Sequence, residues 1–235
     1  MNNNYLKSLR MKDEEDRRVI YLTGEICEES VQDVIKQINE INELDNLLEE
    51  EHLESKTEAL TGIYIHGEDI SVEIQPLDRE PILLYIDSSG GEVYSGFGLV
   101  NVMNSSATDI ITIVTGKAMS MAFLIALAGK ERYAYKNTTF MYHDVSTFTY
   151  GKTEEFKREV KEMERIGKKY DDLVSEWSYI TQEELDDKKI HVIDWYFDGV
   201  KAIDLGVIDE LIDCDEYIGK CSYCGKLLEN CECEA

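Results

Sequence analysis

Two short apolar runs, each followed by glycine and then by an apolar helical face, constrain the fold of this chain most strongly. Residues 81–86 and 110–114 are apolar without alternation, which is typical of strands buried on both faces of a sheet. After the first run come two glycines and a helical face at 93–103, and after the second come Gly116 and an apolar helix at 119–128. Strands and helices that alternate in this way favour a layered α/β domain with a mainly parallel sheet.

The sequence before these runs predicts an additional strand and a long helix. Residues 18–23 alternate and contain β-branched and aromatic side chains, which predicts a strand. Apolar residues then recur at helical spacing from Val31 to Leu47. Because acidic side chains dominate residues 47–60, we expect a solvated loop there, followed by a hairpin at 63–74.

The sequence after the two runs predicts two short strands and two helices. The strands are expected at 133–135 and 138–142. A helix at 153–177 has one narrow apolar stripe and otherwise charged faces, so it needs a surface to lie against, such as another subunit. Thr181 and Glu184 form the capping-box pattern that begins a short helix.

Length and composition are compatible with one α/β domain and a small appendage. With 235 residues, of which 43% are hydrophobic, the chain can bury a substantial core. We expect an N-terminal segment at 1–17, the α/β domain at 18–212 with an inserted segment at 47–80, and an acidic cysteine-rich tail at 213–235.

The net charge of -25 limits the classes of partner. A field of this sign repels phosphate backbones, so nucleic acid is not an expected partner. The polar first residues contain no apolar signal segment, and the apolar run at 119–128 is too short to cross a bilayer. We therefore expect a cytoplasmic protein that binds no membrane, in a reducing compartment where cysteines serve as thiols or metal ligands.

Ser120 lies at the junction between a predicted buried strand and a predicted buried helix. There its hydroxyl is close to the positive end of the helix, and the N–H of Met121 can receive a developing oxyanion. A helix cap or a small packing residue is the alternative interpretation, and it is preferred unless a base lies nearby. Ser88 and Ser89 are rival nucleophiles by residue type, but they precede a double glycine in a turn more typical of a binding element.

Among the four histidines, His143 is the best-placed general base. It follows the predicted strand at 138–142, and a neutral imidazole is the ordinary base for a serine hydroxyl near neutral pH. Asp144 is its neighbour in sequence, but adjacent residues of a strand point to opposite faces. Asp194, flanked by two apolar residues, is expected to be a carboxylate in apolar surroundings that needs a hydrogen-bonding partner.

Four segments in order resemble the proteolytic subunit of the Clp protease family. They are 85–93 (YIDSSGGEV), 116–124 (GKAMSMAFL), 140–143 (FMYH) and 194–209 (DWYFDGVKAIDLGVID). The order serine, histidine, aspartate is also that of the family, and the resemblance covers residues 18–211 outside the inserted segment. It implies a Clp/crotonase-like layered α/β domain with a protruding handle helix.

The resemblance implies a role for five positions. Ser120 matches the family's nucleophile, His143 its general base, and Asp194 the acid that orients the base. The backbone N–H groups of Gly91 and Met121 match its oxyanion hole. The implied activity is hydrolysis of peptides or unfolded proteins through an acyl-enzyme, which needs no cofactor.

Assembly is implied in the same way. The helix at 153–177 matches the handle through which family members stack two rings, so we expect a homo-oligomeric ring, with an AAA+ ATPase unfoldase as a candidate partner. Three features depart from the family pattern. Ser89 replaces its usual proline, the polar first residues predict no full pore hairpin, and the segment at 47–80 has no counterpart.

Three alternatives to an active ring peptidase stay open. A catalytically silent ring or scaffold subunit would share the fold, and a phage prohead maturation protease would use the same three residues. A crotonase-type enzyme acting on acyl-CoA also shares the general fold. In that enzyme the serine, histidine and aspartate would have no role. The strongly acidic sequence also shows no basic patch that could bind the CoA phosphates.

Four of the six cysteines lie at 221–233, near the end of the tail, and predict a structural zinc site. Cys221 and Cys224, with the glycine that follows, have the form of a metal knuckle, and Cys231 with Cys233 completes a set of four thiolates. Free thiols or disulfides are the alternatives. A closed four-thiolate site has no open coordination position, so this site is expected to be structural rather than catalytic.

We predict about one zinc ion per chain in protein purified under reducing conditions. Replacing Cys221 and Cys224 by serine removes two of the expected thiolate ligands and should release the metal. Elemental analysis measures the metal content, and serine at Cys27 and Cys214, outside the cluster, is the matched control. Zinc-free wild-type protein would contradict the prediction.

Overall fold

The structure, a computed structural model, describes residues 18–61, 75, 77–146 and 150–212. These residues form one mixed α/β arrangement around a sheet of seven strands. In chain order the elements are β1 (Val19–Ile26), α1 (Glu28–Thr61), β2 (Ile82–Gly91), α2 (Val93–Ser105), β3 (Ile110–Met119), α3 (Met121–Leu127), β4 (Glu131–Tyr135), β5 (Thr139–Tyr142), α4 (Thr153–Trp177), α5 (Gln182–Ile190), β6 (Trp195–Asp198), α6 (Gly199–Asp204) and β7 (Glu210–Ile212).

The sheet is parallel except at one edge. Strands β1, β2, β3, β4 and β7 lie side by side in that order, and each pair of neighbours is parallel. The long strand β3 pairs with β4 along its first half and with β5 along its last three residues. Strand β6 is antiparallel to β5. The predicted α/β class with a mainly parallel sheet is confirmed.

The core lies where the predicted apolar patterns meet. Ile82, Leu84 and Ile86 of β2 are fully buried, and α3 is buried over its whole length between the sheet and the helices. The apolar face of α1 packs on the same core, with Val34 and Ile38 inaccessible to solvent. Each aliphatic side chain buried in this way contributes about 1.5–3 kcal/mol relative to exposure.

Strands β2 and β3 are longer than the sequence predicts. Both continue through the glycines that were expected to end them, to Gly91 and Met119, and the helix expected at 119–128 is shortened to α3. The ladder continues because partners are available on both sides. Ile26 of β1 stands opposite Gly91, and Met141 of β5 stands opposite Met119.

The acidic segment expected to be a loop at 47–60 is helical, because α1 continues to Thr61. Its leucine, glutamate, lysine and alanine residues are strong helix formers, and that propensity prevails over the charge pattern. The side chains of residues 53–57 are exposed, so the expected solvation is present. The hairpin expected at 63–74 lies outside the described residues, as does most of the second half of the expected insertion.

An ion pair joins α1 to the start of the sheet. The guanidinium of Arg18 donates two hydrogen bonds to the carboxylate of Asp45, of 3.1 and 2.5 Å. The hydroxyl of Thr108 donates to the same carboxylate at 2.6 Å, and Arg18 also reaches the carbonyl of Glu80. Because Asp45 is buried, these donors supply the hydrogen bonds that water would otherwise provide.

Helix α4 has the predicted bounds and is only partly covered. Its second half packs on the domain through Ile166, Tyr170 and Val174, whereas Phe156 and Val160 in the first half are 50% and 40% exposed. The capping box of α5 is present as predicted. None of the described helices combines the length and apolar character needed to span a membrane.

We predict that Asp45→Ala lowers the free energy of unfolding by about 3 kcal/mol, because it leaves Arg18 and Thr108 without their shared acceptor. Denaturant unfolding at fixed protein concentration measures the loss. The control is Asp33→Ala on the same helix, an exposed residue for which we expect a change within about 0.5 kcal/mol. Equal effects for the two variants would contradict the structural role of the ion pair.

Candidate active site

Ser120 occupies a one-residue turn between β3 and α3. Its backbone has φ 52° and ψ -125°, a conformation that non-glycine residues rarely adopt and that costs about 1–3 kcal/mol. Its N–H donates to the carbonyl of Met141 at 2.9 Å, which continues the pairing of β3 with β5 by one residue. The turn places the serine side chain at the carboxyl edge of the parallel strands, where α/β folds bind their ligands.

The register of β3 and β5 brings His143 to this serine. Met119 pairs with Met141 in parallel strands, so the residue that follows β3 and those that follow β5 meet at one edge of the sheet. The Nε2 atom of His143 lies 2.7 Å from the Oγ atom of Ser120. When the ring proton is on Nδ1, the serine hydroxyl donates to Nε2, which is the arrangement of a nucleophile and its base.

The antiparallel pairing of β5 and β6 brings Asp194 to the opposite side of the imidazole. Tyr142 pairs with Trp195, so His143 and Asp194 face each other just beyond the paired residues. The Nδ1 atom of His143 lies 3.6 Å from Oδ1 of Asp194, which is longer than a hydrogen bond.

The surroundings of Asp194 differ from the prediction. Its side chain is 58% exposed, against 26% for His143, so the carboxylate is not in apolar surroundings. The reason is that β6 is the last strand at its edge of the described sheet, so nothing in the described residues covers the turn before it. The two apolar neighbours in the sequence therefore did not indicate burial.

Backbone forms the wall beside Ser120. A β-carbon placed on Gly90 would lie 2.7 Å from the Cβ of Ser120 and 3.0 Å from the nitrogen of Met121, so only glycine fits. A β-carbon on Gly91 would lie 2.1 Å from the carbonyl oxygen of Ile26. The glycines have φ values of 92° and 151°, which side chains rarely adopt. Gly90 and Met121 thus present main-chain groups next to the serine, whereas Gly91 lies against Ile26 of β1.

Among the described residues, no histidine is hydrogen-bonded to either of the rival serines. Ser88 is fully buried, and its hydroxyl donates to the carbonyl of Gly24 at 2.6 Å while it accepts from the N–H of Gly90. It therefore stabilises the backbone of β2. Ser89 is exposed on the other face of the strand.

Two tyrosines and a buried aspartate behind the serine were not singled out by the sequence as site residues. The hydroxyl of Tyr170 on α4 donates to the carbonyl oxygen of Ser120 at 2.8 Å. The hydroxyl of Tyr142 donates to the buried carboxylate of Asp171 at 2.7 Å, and Lys189 forms an ion pair with the same carboxylate. The sequence contained only the helical spacing of Tyr170, which indicated packing but not this hydrogen bond.

Metal ligands were expected only in the tail. The four cysteines named for zinc lie outside the described residues: Cys221, Cys224, Cys231 and Cys233. Within the part of the chain that the structure describes, no three histidine, cysteine, aspartate or glutamate side chains come together in a way that could hold a metal ion.

The sequence matches the family model for Clp protease over residues 71–215, which is more than half of the chain. The chain belongs to the Clp protease family. The family predicted from the four segments is thereby confirmed. The match includes Ser120, His143 and Asp194, whereas β1 and all of α1 precede it.

Three curated relatives are each named ATP-dependent Clp protease proteolytic subunit. The chain is 29% identical to the protein of Porphyromonas gingivalis over 136 residues, 30% identical to that of Deinococcus radiodurans over 137, and 28% identical to that of Bacteroides thetaiotaomicron over 135. These matches span 56–57% of this chain and 60–66% of the relatives. The chain thus matches less than two thirds of each relative's length.

Proposed function

We propose that this chain is a serine-type endopeptidase subunit of a Clp-like assembly. The single observation that carries the proposal is the contact of 2.7 Å between Ser120 Oγ and His143 Nε2, at the carboxyl edge of the sheet. In this proposal His143 takes the proton of Ser120 as the hydroxyl attacks the peptide carbonyl, and then gives it to the leaving amine. Water hydrolyses the resulting acyl-enzyme by the same route.

The remaining site residues have roles that follow from the charges formed in this reaction. The imidazolium that forms on His143 is stabilised by Asp194, which moves within hydrogen-bonding distance as substrate binds. The backbone N–H groups of Gly91 and Met121 receive the oxyanion of the tetrahedral intermediate. No cofactor takes part in these steps, and peptides or unfolded proteins are the proposed substrates.

A silent ring subunit is the second candidate, and one observation favours it. The distance of 3.6 Å between His143 and Asp194 is longer than the hydrogen bond that a working triad requires. The carboxylate of Asp194 is also exposed to solvent. In this alternative the serine and histidine are retained without turnover. The two candidates differ in whether Ser120 reacts with a serine-directed probe.

We predict that a fluorophosphonate probe labels wild-type protein at Ser120, located by mass spectrometry of the labelled peptide. Ser120→Ala should abolish labelling and lower hydrolysis of a short fluorogenic peptide by at least about 1000-fold, because the nucleophile is removed. Ser89→Ala, an exposed serine of β2, is the matched control and should keep both signals. Labelling that persists in Ser120→Ala would refute the nucleophile, and rings that never label would favour the silent subunit.

We further propose a homo-oligomeric ring that stacks through the first half of α4. Phe156 and Val160 project from this half, beside a cavity of about 800 Å³ that is also lined by Val145, Met163 and Lys189. A second copy of the chain would cover these apolar side chains. An AAA+ ATPase that delivers unfolded chains is the proposed further partner, in keeping with the ATP-dependent function in the relatives' names.

We predict that Phe156→Asp with Val160→Asp reduces the mass of the assembly in light scattering or native mass spectrometry, because it places charge in the proposed apolar contact. The matched control is Lys157→Asp with Lys161→Asp, at exposed positions of the same turns, which changes the net charge more but removes no apolar contact. An unchanged mass for the first variant would contradict stacking through this helix.

A further inference from the structure

One peptide group links α4 to the proposed oxyanion hole. The N–H of Met121 is the proposed donor to the oxyanion, and the carbonyl of Ser120 is the other end of the same peptide. That carbonyl oxygen accepts two hydrogen bonds, from the hydroxyl of Tyr170 at 2.8 Å and from the N–H of Phe123 at 3.0 Å. Because a peptide group is planar, a bond that fixes its oxygen also fixes the direction of its N–H.

The backbone of Ser120 needs such support. Its φ of 52° and ψ of -125° lie in a sparsely populated region, and conformations of this kind persist only when their surroundings hold them. On the amino side, the N–H of Ser120 donates to Met141 of β5. On the carboxyl side, the carbonyl of Ser120 accepts from the neighbouring N–H of Phe123 and from the hydroxyl of Tyr170 on α4. Only the bond from Tyr170 ties this carbonyl to a distant part of the chain.

Tyr170 is itself held in place. Its side chain is 3% exposed, and its ring packs beside that of Tyr142 with 5.9 Å between the centroids. The next residue, Asp171, is bound by the Tyr142 hydroxyl and by Lys189, which fixes this turn of α4 against the end of β5. Burial, and then the charge of Asp171, raise the pKa of Tyr170, so its hydroxyl keeps the proton that it donates.

We propose that Tyr170 is a positioning residue for the oxyanion hole. Through the carbonyl of Ser120, it orients the N–H of Met121 toward the oxygen on which negative charge develops. Tyr170 acts through the peptide group and not on the substrate. The inference rests on the proposed peptidase function, and it assigns to the second half of α4 a task in the chemistry in addition to packing.

The test is Tyr170→Phe, which keeps the buried ring and removes only the hydroxyl. We expect kcat for a fluorogenic peptide to fall about 10-fold per titrated active site, the effect of one neutral hydrogen bond, with KM nearly unchanged. The affinity for a peptide boronate, whose tetrahedral adduct places an oxygen in the oxyanion position, should fall by a similar factor. Titration to completion with a fluorophosphonate counts only folded, competent sites, so partial unfolding does not obscure the result.

The matched control is Tyr94→Phe. It removes the hydroxyl of Tyr94, which donates to Glu162 of α4 at 2.7 Å but does not contact Ser120, and it should leave kcat per site and boronate affinity unchanged. If Tyr170→Phe lowers only the melting temperature or the number of titrated sites, the positioning role is overturned. If wild-type protein neither labels nor hydrolyses peptides, the proposed function itself fails, and this role fails with it.

Discussion

The pairing of β3 with a different strand at each end is the constraint on which the site depends. The first half of β3 lies beside β4, but residues 117–119 lie beside β5, so the strand ends next to the strand that leads to His143. Strand β6 then pairs with β5 and brings Asp194 to the same edge. Main-chain hydrogen bonds thus place three side chains that are far apart in the chain, before any side-chain interaction contributes.

This arrangement has an energetic cost that the core offsets. The turn at Ser120 costs about 1–3 kcal/mol, and Gly90 leaves no side chain to pack beside it. The fully buried α3 follows the turn directly, and each of its large apolar residues contributes about as much as the strain costs. Hydrogen bonds from Ser120 to Met141 and from Tyr170 to Ser120 then select this backbone conformation among those the core would permit.

The mismatches between prediction and structure have particular physical causes. Charge at 47–60 indicated a loop, but helix propensity decided the outcome because an exposed helix tolerates a charged surface. Glycine indicated the end of β2 and β3, but Gly90 and Gly91 continue β2 by pairing with β1. Gly116 lies at an irregularity in the pairing of β2 with β3, where β3 changes its other partner from β4 to β5 and then continues. The short strand β6 was not predicted, because four residues beside a neighbouring strand need no strong pattern of their own.

The sequence by itself determined the α/β class, the central apolar strands, the helix at 153–177 and, by resemblance, the family and the three side chains proposed for catalysis. The class, the strands and the helix follow from local patterns, since burial on both faces and helical periodicity are recorded residue by residue. Only the tertiary structure decided that Ser120 and His143 touch, that Asp194 lies at an exposed edge, and that Tyr170 holds the carbonyl of Ser120. Those contacts depend on strand order and register, which couple residues distant in the chain and leave no local signal.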